Sequence, residues 1–419
     1  MKIIADLHIH GKYSRGCSTD ISVANLEKYA RLKGVSLLGT GDFTHSGWLT
    51  ELNSNLKEDD YGILRTKTGF PFIWQTEISM IYSQDGKGRR VHNVILAPSG
   101  EVATQITDFL KSKGRVDYDG RPIFGFSCIE LADELMKISK DIEIIPAHVW
   151  TPWFSIFGSN SGFDSVEECF KEKAKFIHAL ETGMSSDPAM NWRLSKLDNY
   201  ALVSFSDMHS FWPWRIGREA TVFDIDLEYK NLINAIRTGK GLTETIEVDP
   251  NYGKYHFDGH RNCDVCMDPK NSIKLKDICP KCGKKMTIGV LHRVEQLADR
   301  PEGFVPKNAK QFKTLIPLSE ILSSFIKSGV ASKKTWSLFY ELVNKFGSEM
   351  NVMLEPSFEE LKGVVDEKIA KAIIDNRNRN VKIQPGYDGE YGKPLFNNEK
   401  IETYKGEFKN KQTGLDKFM

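Results

Sequence analysis

Short apolar runs recur through the first half of the chain, and almost every one ends in a histidine or a carboxylate. Ile3-Ile4-Ala5 leads into Asp6-Leu7-His8-Ile9-His10, Val35-Ser36-Leu37-Leu38-Gly39 into Thr40-Gly41-Asp42, and Phe72-Ile73-Trp74-Gln75-Thr76 into Glu77. Ile142-Glu143-Ile144-Ile145 ends in Pro146-Ala147-His148, Phe176 to Leu180 reaches Glu181, and Leu202-Val203-Ser204-Phe205 ends in Ser206-Asp207-Met208-His209. His92 lies within its run, Val91 to Leu96, on a candidate hairpin partner of the Glu77 strand. Between the runs, residues 23–33, 129–140, 166–173 and 229–238 carry apolar positions at helical spacing. Strand–helix alternation at this density predicts a parallel sheet, and so many repeats predict an α/β barrel over residues 1–249. Active sites of such barrels lie at the shared C-terminal ends of the strands.

Residues two apart in a strand point to one side, so His8 and His10 project together. With them, Asp42, Glu77, His92, His148, Asp207 and His209 form a candidate ligand set at or near successive strand ends. Any one could cap a helix or join an ion pair, but that reading leaves the recurrence unexplained. Imidazole mixed with carboxylate suits zinc, manganese or iron better than magnesium or calcium. Clustered divalent ions lower the pKa of bound water and neutralise phosphate charge, so no serine or cysteine nucleophile is required. Hydrolysis by metal-activated water is the chemistry such a cluster supports, with Glu77, Asp207 and His148 its central side chains.

The segment from Ala147 to Trp214 is rich in aromatic residues, among them Trp150 and Trp153, and Asn160 and Ser161 sit in a glycine-flanked stretch nearby. Each ring either packs in the core or, placed in a loop at the catalytic face, holds an unstacked base. His178 and Glu181 close a strand in the same region and would either touch substrate or orient ligands.

The 419 residues suggest two or three domains, and 40% hydrophobic with 27% charged content fits a soluble globular chain. No apolar run approaches the ~20 residues of a membrane span, so a cytoplasmic protein is expected, nucleoid-associated if its partner is DNA. With 57 Lys+Arg against 56 Asp+Glu, a polyanionic partner would need a local basic patch. Cys263, Cys266, Cys279 and Cys282 form two C-x-x-C pairs in residues 250–295, which predicts a closed four-thiolate zinc site. His256, His260 and His292 flank it and are not assigned as ligands. Residues 296–383 read as mostly helical. Lys333 and Lys334 stand at a helix start, where the dipole disfavours cations, so an external anion is expected there. From residue 384 the composition is that of a tail.

His8-x-His10, Thr40-Gly41-Asp42, Glu77, His92, Ala147-His148 and Asp207-x-His209 resemble, in order, the motifs of the PHP (polymerase and histidinol phosphatase) metallo-phosphoesterases. The resemblance implies a distorted TIM-like barrel. Members of that family carry Thr-Asp-His where this chain has Thr40-Gly41-Asp42, and a further histidine is replaced in the Gly16-Cys17 neighbourhood. The implied cofactor is two or three divalent ions (zinc, manganese or magnesium), beside one structural zinc. Gln412, Leu415 and Phe418 resemble the motif that docks on the sliding clamp, PCNA. The order of modules, with the stretches Gly39-Thr-Gly-Asp-Phe-Thr-His45 and Ser159-Asn-Ser-Gly-Phe163, resembles the endonuclease Q family. That resemblance implies nicking on the 5′ side of uracil, hypoxanthine, xanthine or an abasic site, leaving a 3′-hydroxyl, by a monomeric enzyme of DNA repair. Two rivals stand beside it: a small-molecule phosphatase of the histidinol-phosphatase kind, and a DNA-bound scaffold with a degenerate metal centre.

Overall fold

The computed structural model describes residues 1–396 and 400–404. The strands that position the site are β1 (Lys2–Asp6), β2 (Leu37–Gly39), β3 (Pro71–Gln84), β4 (Lys87–Ala97), β5 (Glu143–Pro146), β6 (Ala179–Glu181), β7 (Ala201–Val203), β8 (Ala220–Asp224) and β9 (Leu242–Glu247). β1, β2 and β3 lie side by side and parallel. Beyond β1, β8 and then β9 continue the sheet antiparallel, and beyond β3 so do β4 and β5. The sheet is therefore mixed, where the alternation of strand and helix predicts a parallel one. The cause is local at β3 and β4. They are joined at Asp85-Gly86, both with positive φ (53° and 73°), as in a tight two-residue hairpin turn. No helix intervenes, so β4 returns antiparallel.

The predicted barrel also fails to close. β6 and β7 form a separate parallel pair that is joined to the large sheet by no strand ladder among the described residues, with isolated bridges nearby, Ile144 with Ile177 and Ile9 with Met208. Each of these two strands is three residues long. The backbone leaves the extended path soon after β5 and β7, at His148 and Asp207, with φ of 29° and 45°. The ladders end where the chain turns to aim those side chains. Strand ends nonetheless converge on one face, which receives His8 and His10 from β1, Asp42 from β2, His148 from β5 and Asp207 from β7. Glu77 and His92 come from the long β3–β4 hairpin, where Ser79 pairs with His92 and Glu77 with Val94.

A small module follows, containing β10 (Asp258–His260) and β11 (Val265–Met267). β12 (Gln311–Thr314) then joins the edge of the large sheet parallel to β9, so the region read as helical opens with a strand. Helices Leu318–Ile326, Lys333–Phe346, Glu349–Leu354, Phe358–Lys362 and Glu367–Arg377 complete the described chain apart from short strands. Ser332, Ser348, Ser357 and Asp366 cap four of these helices by accepting from first-turn amides. Leu322, Phe339, Leu342, Ile369 and Ile373 make a core continuous with Val222 of β8 and Ile246 of β9. No helix among the described residues is long and apolar enough to cross a membrane. Gln412, Leu415 and Phe418 lie outside the described residues.

A buried ion pair ties the helical region to the sheet layer. Lys33, the last residue of helix Val23–Lys33, is 2% exposed and donates to Glu349 Oε1 at 2.8 Å and to the Pro213 carbonyl at 2.9 Å. Glu349 Oε1 also accepts from the Leu318 amide at 2.9 Å. Removing one member leaves the other charge buried, which costs about 3–5 kcal/mol, whereas removing both costs far less. Lys33→Met should therefore lower the melting temperature markedly, and Lys33→Met with Glu349→Gln should recover most of the loss. A double variant no more stable than the single would deny the pair this role.

Candidate metal centre

His8, His10 and Glu77 are completely buried at the converging strand ends. The two carboxylate oxygens of Glu77 face different groups of imidazoles. Oε2 lies 3.2 Å from His10 Nε2 and 3.5 Å from His8 Nε2, and Asp207 Oδ1 stands 3.1 Å and 3.6 Å from the same two nitrogens. Oε1 lies 2.7 Å from His92 Nδ1 and 3.3 Å from His148 Nε2. Two cradles result, His8–His10–Glu77–Asp207 and Glu77–His92–His148, and the ligand atoms of each lie within 4.8 Å of one another. A divalent ion about 2.0–2.2 Å from nitrogen and oxygen ligands sets them about 3.0–3.5 Å apart, close to the 2.7–3.6 Å seen here. Among the described residues, His8 Nε2 and His92 Nδ1 are buried yet make no hydrogen bond, which is costly for a polar atom unless something else is to be bound. The residues fit divalent metal.

A surrounding layer fixes the rings. His8 Nδ1 is 2.9 Å from Glu181 Oε1, and the His148 amide donates to Glu181 Oε2 at 2.6 Å. His10 Nδ1 is 3.0 Å from Asp42 Oδ1, while Asp42 Oδ2 accepts from the Gly11 amide at 2.6 Å and from Ser14 Oγ at 2.7 Å. With Nδ1 engaged behind it, each of His8 and His10 presents Nε2 to the cradle. Asp42, His148 and Asp207 all hold positive φ (36°, 29° and 45°) without being glycine. Strain of that kind persists only where surrounding contacts impose it.

Electrostatics agree with the geometry. Burial alone would raise Glu77, yet His92, Arg121 and His8 outweigh it and hold its carboxyl well below the usual range. Burial likewise opposes Asp207, and His8, His209 and His10 hold it well below its ordinary value. His8 and His10 are pushed well above theirs by neighbouring carboxylates against the effect of burial. His92 goes the other way, down to about 4, because burial dominates there. The Arg121 guanidinium completes the charge pattern, with Nη1 3.0 Å from Glu77 Oε2.

The remaining expected site residues divide. Asp42 stands behind His10 and not in either cradle. The His209 ring packs on His10 at 4.8 Å between centroids, and its Nδ1 turns to the Asp207 carbonyl at 3.0 Å. His178 is not brought to this face: it precedes β6 and binds Glu143 Oε1 at 3.0 Å at the start of β5, whereas Glu181 and His148 mark the other ends of those strands. Trp150 is fully buried, with its indole N–H donating to Asn191 Oδ1 at 2.8 Å, so it is core and unable to stack on a ligand. Trp153 is half-buried, edge-on to Tyr255. Asn160 is exposed, and Ser161 is buried with an unpartnered hydroxyl. Lys333 and Lys334 are exposed at their helix start, just before Trp336. Arg121 escaped sequence reasoning because a lone arginine in a turn-rich loop, Tyr118-Asp-Gly-Arg121-Pro, carries no periodic signal.

The cysteine module departs from the four-thiolate expectation. Cys263, Cys279 and Cys282 converge with His260, and the four ligand atoms lie within 4.8 Å of one another. His260 Nδ1 is 3.4 Å from Cys282 Sγ, near the edge of a zinc tetrahedron with one nitrogen and three sulfurs. Cys266 is turned away. In the β10–β11 ladder Gly259 pairs with Cys266 and His260 with Val265, so His260 and Cys266 occupy opposite faces. The Cys266 face is covered: its Sγ lies 3.8 Å from the Pro385 carbonyl, and a Cβ at Gly259 would sit 2.4 Å from Tyr387. Burial pushes the Cys266 thiol up to about 12, the behaviour of an inert sulfhydryl.

Comparisons with known proteins converge. Residues 317–380 match the family model of the MJ0043 C-terminal domain. MJ0043 itself, from Methanocaldococcus jannaschii, is 34% identical over 300 residues, 70% of this chain. The chain spans only 36% of that relative's length. The crystal structure of the lesion-specific endonuclease PfuEndoQ from Pyrococcus furiosus superimposes with a TM-score of 0.85 at 30% identity, over 95% of this chain and 96% of that one. A complex of Endonuclease Q with a 27-mer duplex substrate bearing an abasic lesion at the active site matches equally, TM-score 0.85 and 30% identity, covering 95% and 97%.

Metal analysis separates the sites. Glu77→Ala should empty both cradles, because each loses an oxygen, whereas His92→Ala should spare the one built on His8 and His10. Cys266→Ser should keep its zinc, and His260→Ala or Cys279→Ser should lose it. Zinc lost from Cys266→Ser with His260→Ala unaffected would restore the four-thiolate site.

Proposed function

The chain belongs to the endonuclease Q family, and we propose that it is a metal-dependent DNA endonuclease that nicks the phosphodiester 5′ to deaminated bases and abasic sites. The observation that carries the reading is the pair of cradles sharing Glu77, on a chain that superimposes along nearly its whole length on a lesion-specific endonuclease. His8, His10, Glu77 and Asp207 would hold one divalent cation, and Glu77, His92 and His148 a second. Bound there, the cations supply a water of lowered pKa and neutralise charge on the phosphate. Asp42 and Glu181 keep His10 and His8 in the tautomer that offers Nε2 inward, and the Glu181 contact to the His148 amide fixes a ligand of the second cradle. In the hydrolysis a bond forms from water oxygen to phosphorus as the P–O3′ bond breaks. The leaving oxygen takes a proton to become the 3′-hydroxyl, and the phosphate stays on the damaged nucleotide.

Deaminated bases differ from normal ones at their pairing edges, which are hidden until the nucleotide is flipped out. The loop of residues 151–162 is suited to receive such a base. Its backbone is tied back by hydrogen bonds from the Asn160 amide to the Pro152 carbonyl (3.0 Å) and from the Phe157 amide to the Val149 carbonyl (2.8 Å). Arg293 braces it further, donating to the Phe157 carbonyl at 3.0 Å. Within it Phe154, at φ 62°, packs its ring 4.6 Å from that of His92. Exposed Asn160, or the enclosed Ser161 hydroxyl or backbone groups beside them, would meet the keto oxygen created by deamination. The tail bearing Gln412, Leu415 and Phe418 would dock on the sliding clamp, a reading supported by the sequence motif alone.

The test is incubation of the manganese-loaded protein with uracil-containing, abasic and undamaged duplexes, with and without chelator. Nicks 5′ to the lesion, carrying 3′-hydroxyl ends and abolished by chelator, are expected. Ser161→Ala and Asn160→Ala should each slow cleavage at uracil about tenfold, the worth of one hydrogen bond, and leave abasic cleavage nearly unchanged. Equal losses on both substrates would move base reading elsewhere. Truncation before Gln412 should abolish clamp binding in calorimetry while intrinsic cleavage persists.

A further inference from the structure

Arg121 is held at the metal centre by a loop that spans two of its walls. The Gly120 amide donates to the Tyr13 carbonyl (3.1 Å), on the turn that follows His10, and the Ser79 amide, two residues beyond Glu77, donates to the Pro122 carbonyl (3.0 Å). Buried Asp119 draws in both the Arg121 and the Arg15 amides, at 3.1 Å and 3.2 Å. Gly120 lies so close to Asp42 that a Cβ there would be 2.6 Å from its Oδ2 and 2.4 Å from Ser14 Oγ. The backbone is therefore anchored on either side of the guanidinium, which reaches Glu77 Oε2.

Glu77 does not need this cation, since nitrogens of His8, His10, His92 and His148 already stand 3.5, 3.2, 2.7 and 3.3 Å from its oxygens. A guanidinium cannot deprotonate, so beside a site built for divalent cations it is unfavourable unless an anion shares the space. Among the described residues Glu77 is its only side-chain partner, which leaves most of its five donors free. It stands at the mouth, not the floor: Arg121 is 22% and Asp207 30% exposed, while His8, His10 and Glu77 are fully enclosed. A planar fork of donors at the opening of a cation-binding cradle matches the non-bridging oxygens of a phosphodiester.

We propose that Arg121 is a catalytic residue that binds the scissile phosphate, leaving Glu77 Oε2 to the ligand cluster when substrate and metal are present. The assignment rests on the endonuclease reading for the identity of the phosphate. On binding, the guanidinium donates to a non-bridging oxygen and stabilises the charge that grows there during displacement.

The experiment uses the full-length chain loaded with manganese, as wild type, Arg121→Ala and Arg121→Lys. Metal content should be the same in all three. Calorimetry with inorganic phosphate should show binding weakened about tenfold in the alanine variant, as expected for loss of a charge-assisted pair. Single-turnover cleavage of uracil-containing duplex should fall about 10²–10³-fold, the effect of removing one donor to a developing oxyanion. Millimolar guanidinium should restore part of that rate to Arg121→Ala and none to wild type. Unaltered phosphate binding, or loss of metal from Arg121→Ala, would overturn the assignment, the latter showing that the arginine merely holds Glu77. If wild type itself leaves DNA uncut, the endonuclease reading fails, and the phosphate calorimetry still decides the role of Arg121.

Discussion

One buried carboxylate, Glu77, is shared between two groups of imidazoles, and much of the catalytic half is arranged to tolerate that sharing. A fully enclosed carboxylate loses its hydration, and in a low-dielectric interior the loss is severe unless opposite charge stands close by. Here each oxygen meets its own pair of histidines, and Arg121 adds to one of them. The histidines are buried by the same packing, so the cost falls on both partners at once. Such a constellation is poor design for stability alone. It becomes reasonable when divalent cations replace the pairings and turn like-facing lone pairs into ligands, which is why the unpartnered nitrogens of His8 and His92 are more telling than the ion pairs themselves.

Holding six side chains to that geometry constrains the backbone in ways a regular barrel would not allow. Asp207 and His148 themselves hold positive φ, beyond the last ladder pairs of β7 at Val203 and of β5 at Pro146. The ring of strands is open at β6 and β7, and Glu181, at the end of β6, reaches across to His8 and to the His148 amide. Glu77 and His92 arrive on two strands of one hairpin, so their spacing is set by a ladder of paired residues. Precision at the site and irregularity of the sheet have a common origin.

This explains which features could be read from sequence. The recurrence of histidine and carboxylate at strand ends survives because it depends only on the two-residue period of a strand, and it brings His8, His10, Glu77, His92, His148 and Asp207 together. Features set by register or by long-range packing do not survive. Cys266 has the spacing of a zinc ligand, but pairing with Gly259 sends it to the face opposite His260. Trp150 looks like a stacking platform, yet its indole is consumed by Asn191 in the core. His178 immediately precedes a strand of the site, at the end away from the cradles. The antiparallel return of β4 is legible in the hairpin reading of the His92 run, since Asp85-Gly86 is too short for a crossover, whereas the open ring depends on long-range pairing that no local pattern encodes.

The helical region is bound to the catalytic face by more than sequence continuity. After Asp207 and His209 the chain runs directly into Phe211, Trp212 and Trp214, and the indoles of Trp212 and Trp214 stack in parallel, 5.4 Å apart at 2°. Trp336, from helix Lys333–Phe346, packs against both at 5.5 Å and 5.8 Å, and Tyr29 of helix Val23–Lys33 meets Trp212 at 5.3 Å. Aromatic pairs of this kind add about 0.5–1.5 kcal/mol each beyond the area they bury. The Lys33–Glu349 pair lies in the same contact, its lysine also holding the Pro213 carbonyl between the two tryptophans. Any rotation of the helices relative to the sheet would have to break this stack, which is built on the segment that directly follows Asp207 and His209. A helical region that contributes no ligand to the cradles is therefore packed directly on the segment that carries one of their carboxylates.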